Sequence, residues 1–195
     1  MIGYLEGKLV EVSPSQTYVD INGLGYEVHI TLNTYEEIKG RERATLFTHL
    51  QVREDAWVLY GFASMREKEA FQKLLGVSGV GAATSRILLS SLTANDLSRI
   101  IMNGDSKALE KVKGIGAKTA QRIILELRGK LAADLPEAGE PSAASHDVIE
   151  LEALNALLGL GIPKAGAEAA IKKSKPMLDA GHSVEALIKA ALKNL

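Results

Sequence analysis

The sequence predicts a multidomain chain of mixed α and β class: a small five-stranded barrel first, an all-helical segment second, and a three-helix module last. Three observations point there. Apolar and polar residues alternate in short β-rich runs as far as Phe62. From Ser64 the period lengthens to that of a helix. Within that helical segment a glycine-flanked turn occurs twice, at Gly79 and again at Gly114.

Residues 1–63 carry the barrel. The runs GYLEGKLVEV, TYVDIN, YEVHITL, RATLFTHLQV and AWVLYGF are rich in β-branched and aromatic residues and are separated by Ser-Pro, Asn-Gly and charged turns. TLNTYEEIKG is a candidate helix between the third and fourth. Five short strands fit an OB-fold, a barrel that often binds nucleic acid, although a fold alone does not establish function. The last two strands form a hairpin whose tip, Arg53-Glu54-Asp55-Ala56, sets two carboxylates side by side. Solvation of an exposed turn accounts for them; a functional role needs a partner that feels their charge. Trp57 and Tyr60 read as barrel or interface residues, and His29 and His49 lie in strands without an evident partner.

Residues 64–133 read as five helices, SMREKEAFQKLLGV, AATSRILLSSL, TANDLSRIIMNG, SKALEKVKGIG and AKTAQRIILELRGKL, with Thr93 and Ser106 as N-caps and Gly104 as a stop. LLGVSGVGAATSRILL recurs as LEKVKGIGAKTAQRII, so Gly79-Val80-Gly81 corresponds to Gly114-Ile115-Gly116 and Val77 to Val112. Two glycines around one apolar residue suit a tight turn between helices, because glycine tolerates positive φ and lets another backbone come close. The apolar residue tucks between the helices. The turn presents amide N–H groups at the start of the next helix, where the dipole favours an anion. A phosphate suits that position, and Lys118, Thr119 and Arg122 lie where one helical turn adds charge or hydroxyl donors. Helix packing alone explains a single such turn; two copies in the most basic part of the chain point to phosphate. The pattern resembles the helix-hairpin-helix motif, which grips nucleic-acid backbone without reading bases, so binding should be structure-specific and salt-sensitive.

Residues 134–146, DLPEAGEPSAASH, are rich in Pro, Gly, Ala, Ser and acid and read as a flexible linker. Residues 147–195 follow with three short helices, DVIELEALNALLGLG, PKAGAEAAIKK and SVEALIKAALKNL, the second with Pro163 in its first turn. Leu151, Leu154 and Leu158 share a face, as do Val184, Leu187, Ile188 and Ala191. Lys172, Lys173 and Lys175 read as a solvated helix end.

The formal net charge of −1 over 195 residues conceals an uneven distribution. Lys and Arg number 5 against 9 Asp and Glu in residues 1–62, 12 against 6 in residues 63–133, and 6 against 9 in residues 134–195. A basic middle between acidic flanks suits a polyanion. The absence of cysteine excludes disulfides and thiolate zinc sites, and four scattered histidines give no reason to expect a metal. No GxxxxGK[ST], HExxH or GxSxG occurs. No cofactor is therefore expected, and ATP hydrolysis, where involved, falls to another protein. MIGYLEGKLVEV lacks the basic start and apolar run of a signal peptide, and no stretch approaches the roughly 20 apolar residues of a membrane span. A cytoplasmic protein with no membrane partner is expected.

The barrel, the tandem hairpins, the linker and the helical end, together with MIGYLEGKL, VREDAWVLYGF and REKEAFQKLL, resemble the RuvA family, the Holliday-junction-recognition subunits of the bacterial branch-migration complex. The resemblance spans essentially the whole chain. It implies a non-catalytic homotetramer of fourfold symmetry that holds a four-way DNA junction open and nearly planar on its basic face; a second tetramer can cover the other side. It also implies that residues 147–195 engage a hexameric AAA+ motor of the RuvB type, which drives branch migration with ATP in recombination and in the repair of DNA damage. A junction-resolving nuclease is a further candidate partner. The candidate DNA-binding residues are Gly79, Val80, Gly81, Gly114, Ile115, Gly116, Lys118, Thr119 and Arg122 of the two hairpins, with Arg86, and the resemblance implies that Glu54 and Asp55 form an acidic pin beside the junction centre. The chain departs from the family pattern in the first hairpin, where Ala82 and Ala83 stand at a place that often carries lysine. Arg86, one helical turn on, is placed to compensate. Leu157, Leu160 and Ile162, near the GLGIP turn, are candidates for contacting the motor, with at least one of them assigned to core packing.

Two other readings stay open at this level. One is a nuclease in which Glu54, Asp55 and Asp20 hold a divalent ion, a thin ligand set. The other is a pure protein-interaction adaptor, for which the acidic flanks leave room.

Overall fold

The computed structural model describes residues 1–132, 146–174 and 183–194. The chain divides into two compact units, Met1–Leu135 and Pro136–Leu195. The first opens with strands β1 (Tyr4–Val12), β2 (Gln16–Ile21), β3 (Leu24–Ile30), β4 (Arg43–Val52) and β5 (Trp57–Phe62), with helix α1 (Leu32–Ile38) between β3 and β4. They close into a barrel in the order β1-β2-β3-β5-β4. The one parallel contact is short, His29 with Tyr60 and Ile30 with Gly61. This is the expected five-stranded OB-fold. Asn22 and Gly23 form a two-residue turn between Ile21 and Leu24, and Asp20 Oδ1 accepts the Gly23 N–H at 2.7 Å. Strand alternation fills the interior with Leu5, Val19, Val28, Ile30, Leu46 and Leu59, and Ile38 of α1 closes one end.

The helical part of the same unit comprises α2 (Met65–Leu75), α3 (Ala82–Ser91), α4 (Ala94–Asn103), α5 (Ser106–Glu110) and α6 (Ala117–Ala132). Thr93 caps α4 by accepting the Asp96 N–H, and Gly104 ends it in the left-handed region. Ser106 does not cap α5. Asp105, one residue earlier, accepts the Ala108 N–H at 3.1 Å, which leaves Ser106 as the first helical residue.

Strand β5 serves two cores, since successive side chains point to opposite faces. Leu59 enters the barrel, whereas Tyr60 and Phe62 face α2. There Phe71 meets both rings, with centroids 5.0 Å from Tyr60 and 4.9 Å from Phe62. A polar contact reinforces the joint. Glu67, only 5% exposed, lies on the same α2 face as Phe71 and Leu74. Its carboxylate accepts from Thr31 Oγ1 at 2.5 Å and Thr34 Oγ1 at 2.7 Å. Those hydroxyls accept in turn from the Thr34 and Ala63 N–H groups, each at 3.0 Å. Burial pushes the Glu67 carboxyl above its ordinary value, while the two threonine hydroxyls pull it down and the nearby Glu37 charge adds to the rise.

The second unit holds α7 (His146–Gly159), α8 (Lys164–Ser174) and α9 (Val184–Lys193). Its core is Ala153, Leu157, Ala167, Ala170, Leu187 and Ala191, with Ile171 beside them. Of the expected α7 face, Leu154 flanks the core, Leu158 is 38% exposed, and the side chain of Leu151 lies outside the described residues. Alanines on α7, α8 and α9 let the helices approach closely, so the shared face is set by small residues and not by the leucines alone. Pro163 precedes α8, its carbonyl accepting the Ala167 N–H at 3.0 Å, so it sits at the cap and not in the first turn. His146, expected to end the linker, opens α7; the rest of that segment and Lys175 lie outside the described residues. No helix among the described residues is long and apolar enough to cross a membrane.

The Glu67 contact makes stability pH-dependent with a definite sign. A carboxyl whose folded pKa is raised contributes fully below its unfolded value, and the contribution is lost as pH rises through the folded one. Glu67→Gln should therefore gain stability relative to the parent as pH goes from acid to neutral, measured by urea unfolding. Glu67→Leu should cost about 1–3 kcal/mol, since it removes the acceptor from two buried hydroxyls.

Candidate nucleic-acid interface

The two hairpins are superimposable in their hydrogen bonding. The Val80 N–H donates to the Val77 carbonyl at 3.0 Å, and the Ile115 N–H to the Val112 carbonyl at 3.1 Å. Each following helix begins with the same bond, Ser85 N–H to the Gly81 carbonyl and Ala120 N–H to the Gly116 carbonyl, both 2.9 Å. Val80 and Ile115 are buried in the helical core, as expected of the apolar residue in the turn.

The paired glycines divide their tasks. Gly79 and Gly114 take φ of +81° and +89°, which an L side chain adopts only with strain. Gly81 and Gly116 have no such need. Gly81 sits at φ −92° and ψ 176°, ordinary extended backbone, and a Cβ at either residue would meet nothing within 4 Å. Folding does not require glycine there, and its missing side chain leaves the backbone open to close approach from outside. With no side chain at these cap positions, the first amides of α3 and α6 are left for an anion.

Charge is unevenly shared between the hairpins. Lys118 is exposed beside the second turn, with Thr119 half-buried next to it. Lys113, which the sequence reading passed over, is exposed within that turn at the place Ser78 holds in the first; the offset of the repeat was the available signal. Arg86 is not arranged as expected. Its Nη1 donates to the Ser15 carbonyl at 3.2 Å and lies 3.2 Å from His29 Nδ1, so it is tied to the barrel. Burial first, then the Arg86 charge, hold His29 below its ordinary pKa, consistent with a neutral ring accepting at Nδ1. The cation beside the first turn comes from the second hairpin. Arg122 of α6 donates to the Ser78 carbonyl at 3.1 Å, and its guanidinium is 3.6 Å from where a Gly79 Cβ would stand. Glu126, one turn further along α6, borders the open groove beside that turn.

The expected acidic tip belongs to a protruding ribbon. Strand β4 pairs with β1 only as far as Phe47, and β5 pairs with β3 only from Tyr60. After one more bond, from the Thr48 N–H to the Gly3 carbonyl at 2.9 Å, β4 and β5 pair only with each other, out to Val52 and Trp57, and the Arg53 N–H closes the tip on the Ala56 carbonyl at 2.9 Å. Glu54 and Asp55 are exposed. Tyr60 is buried against Phe71, but Trp57 is 77% exposed and so belongs to no described core. Asp20 is held in the β2–β3 turn, a different hairpin, and among the described residues no three His, Cys, Asp or Glu side chains gather as a metal site. Of the residues suggested for a motor contact, Leu157 is fully buried, Ile162 packs at the core's edge and Leu160 is 63% exposed. Leu157 faces α8 and α9 and is therefore a core residue.

An OB-fold barrel continuous with a tandem helix-hairpin-helix unit is the architecture of a class of DNA-binding proteins. Residues 1–61 match the RuvA N terminal domain, 71–130 the SAM-like Helix-hairpin-helix tandem and 150–195 the RuvA C-terminal domain. The chain belongs to the RuvA family. It is 45% identical to the Holliday junction branch migration complex subunit RuvA of Chromobacterium violaceum, over 100% of this chain and 98% of that one. It is 42% identical to the protein of the same description from Cytophaga hutchinsonii, over 99% of each, and 43% identical to that of Bordetella pertussis, over 99% of this chain and 100% of the relative.

The two glycines of one hairpin should respond differently to alanine. Gly114→Ala should lower unfolding free energy by about 1–2 kcal/mol, the strain of a left-handed alanine. Gly116→Ala should stay within about 1 kcal/mol of the parent yet weaken DNA binding, because its methyl stands where a phosphate would approach. Chemical denaturation and gel shift on the same samples separate the two.

Proposed function

We propose that the protein binds four-way DNA junctions as a non-catalytic homotetrameric scaffold and recruits a hexameric ATP-driven motor for branch migration. The observation that carries the DNA-binding part is the glycine at positions 81 and 116, kept open where the fold does not ask for it. Both hairpins offer amide donors at a helix start, and Lys113, Lys118 and Arg122 stand beside them. Such contacts grip phosphate and carry no base code. Selection for a junction then comes from shape, with four copies arranging eight hairpins around a crossover. The names of the relatives support that choice of substrate.

Within this reading residues 1–63 carry the pin, 64–133 the phosphate grip and 147–195 the motor contact, with the exposed Leu160 its nearest apolar candidate. Glu54 and Asp55 repel phosphates that approach the tip and so disfavour a continuous duplex across the centre.

A gel shift with a four-way junction and a linear duplex of the same sequence tests the proposal. The junction should bind far more tightly, and affinity should fall about a hundredfold for a fourfold rise in salt if roughly four phosphates are neutralised. Equal affinity for the two DNAs at matched salt would overturn it. Replacing Glu54 by Gln together with Asp55 by Asn should strengthen duplex binding by about 2- to 10-fold and narrow the preference.

A further inference from the structure

We propose that Trp57 is a stacking platform for an unpaired nucleobase at the branch point, an assignment that rests on the junction-binding reading above. The indole is 77% exposed and its cross-strand neighbour Val52 is 60% exposed. Along this face of the ribbon the preceding pair, Leu50 and Leu59, turns into the barrel core. Val52 and Trp57 continue the row past the last strands that could cover it. An apolar pair left open at the end of a projecting ribbon favours a ligand with an apolar face.

The neighbouring charges select that ligand. Glu54 and Asp55 lie three and two residues before the indole and repel phosphate, which keeps the nucleic-acid backbone away from the tip. A nucleobase is uncharged, offers its face to an indole, and carries exocyclic amino groups that donate to carboxylates. One tip thus rejects one part of a nucleotide and accepts another. Bases inside an intact duplex are not available for this, since unstacking them costs energy, whereas an unpaired base at the branch point carries less of that cost. A second copy docking tip against tip is a poorer occupant, because contact between two tips would press four carboxylates against one another.

The chain contains a single tryptophan, so its emission reports this position alone. The full-length protein is titrated with a four-way junction carrying an unpaired adenine at the branch point, and with a linear duplex of the same sequence. Tryptophan emission should be quenched by the junction and much less by the duplex. Trp57→Ala should weaken junction binding by roughly 5- to 100-fold, and Trp57→Phe should recover most of the loss. Unchanged emission on a junction that the protein binds, or full affinity in Trp57→Ala, overturns the assignment and leaves the proposed function standing. Failure of the parent protein to bind the junction at all removes both. An emission shift that follows protein concentration without DNA assigns Trp57 to a contact between copies and also overturns it.

Discussion

Phe71 packs against Tyr60 and Phe62, and through that contact the barrel and the hairpin helices share one strand. Strand β5 cannot shift its register without sending Leu59 out of the barrel and Tyr60 into it, so the two cores hold each other in place. Glu67 adds direction to this apolar joint. Its carboxylate takes both threonine hydroxyls of the α1 start, and slipping α2 along the barrel would strand three polar groups in a buried site. The acidic ribbon and the glycine turns are consequently parts of one compact unit.

The duplicated hairpin has kept its backbone and changed its decoration. The same hydrogen bonds and buried apolar residue recur, while Ala83 and Ser78 stand where the second copy has Lys118 and Lys113. Backbone geometry is the demanding part of such a turn, because φ and the amide directions leave little freedom. Charge near a phosphate is more forgiving, since Coulomb attraction tolerates displacement of a flexible side chain. Arg122 illustrates this: an arginine of the second hairpin's helix stands against the turn of the first.

Attraction and repulsion are segregated along the unit. The basic side chains gather about the helix starts, whereas the two carboxylates sit at the end of a ribbon that outruns its barrel. In the proposed function the first group sets how firmly DNA is held and the second sets which DNA is tolerated. The separation is incomplete, since Glu126 borders the groove beside the first turn and offsets part of the field that draws phosphate in.

Most of the architecture follows from local pattern. Strand alternation, the Asn-Gly turn, the helical period after Ser64 and the repeated glycine turn depend on residues close together in the chain, and all were readable there. The family followed from the same motifs. Where residues several turns or strands apart decide the outcome, the sequence was silent or misleading. The barrel contacts of Arg86, to the Ser15 carbonyl and His29, could not be read from the chain, and Leu157 looked available until alanines on two other helices enclosed it. Trp57 and Tyr60 lie on opposite faces of β5: Tyr60 meets Phe71 of α2, whereas Trp57, on the face of Leu59, lies beyond the point where β3 stops pairing and stays in solvent. The sequence alone determined the elements, the turn chemistry and the family, because those depend on short-range backbone preference and spacing. Tertiary structure alone decided which side chains remain available to a ligand, because exposure is set by where distant elements meet and where their pairing ends.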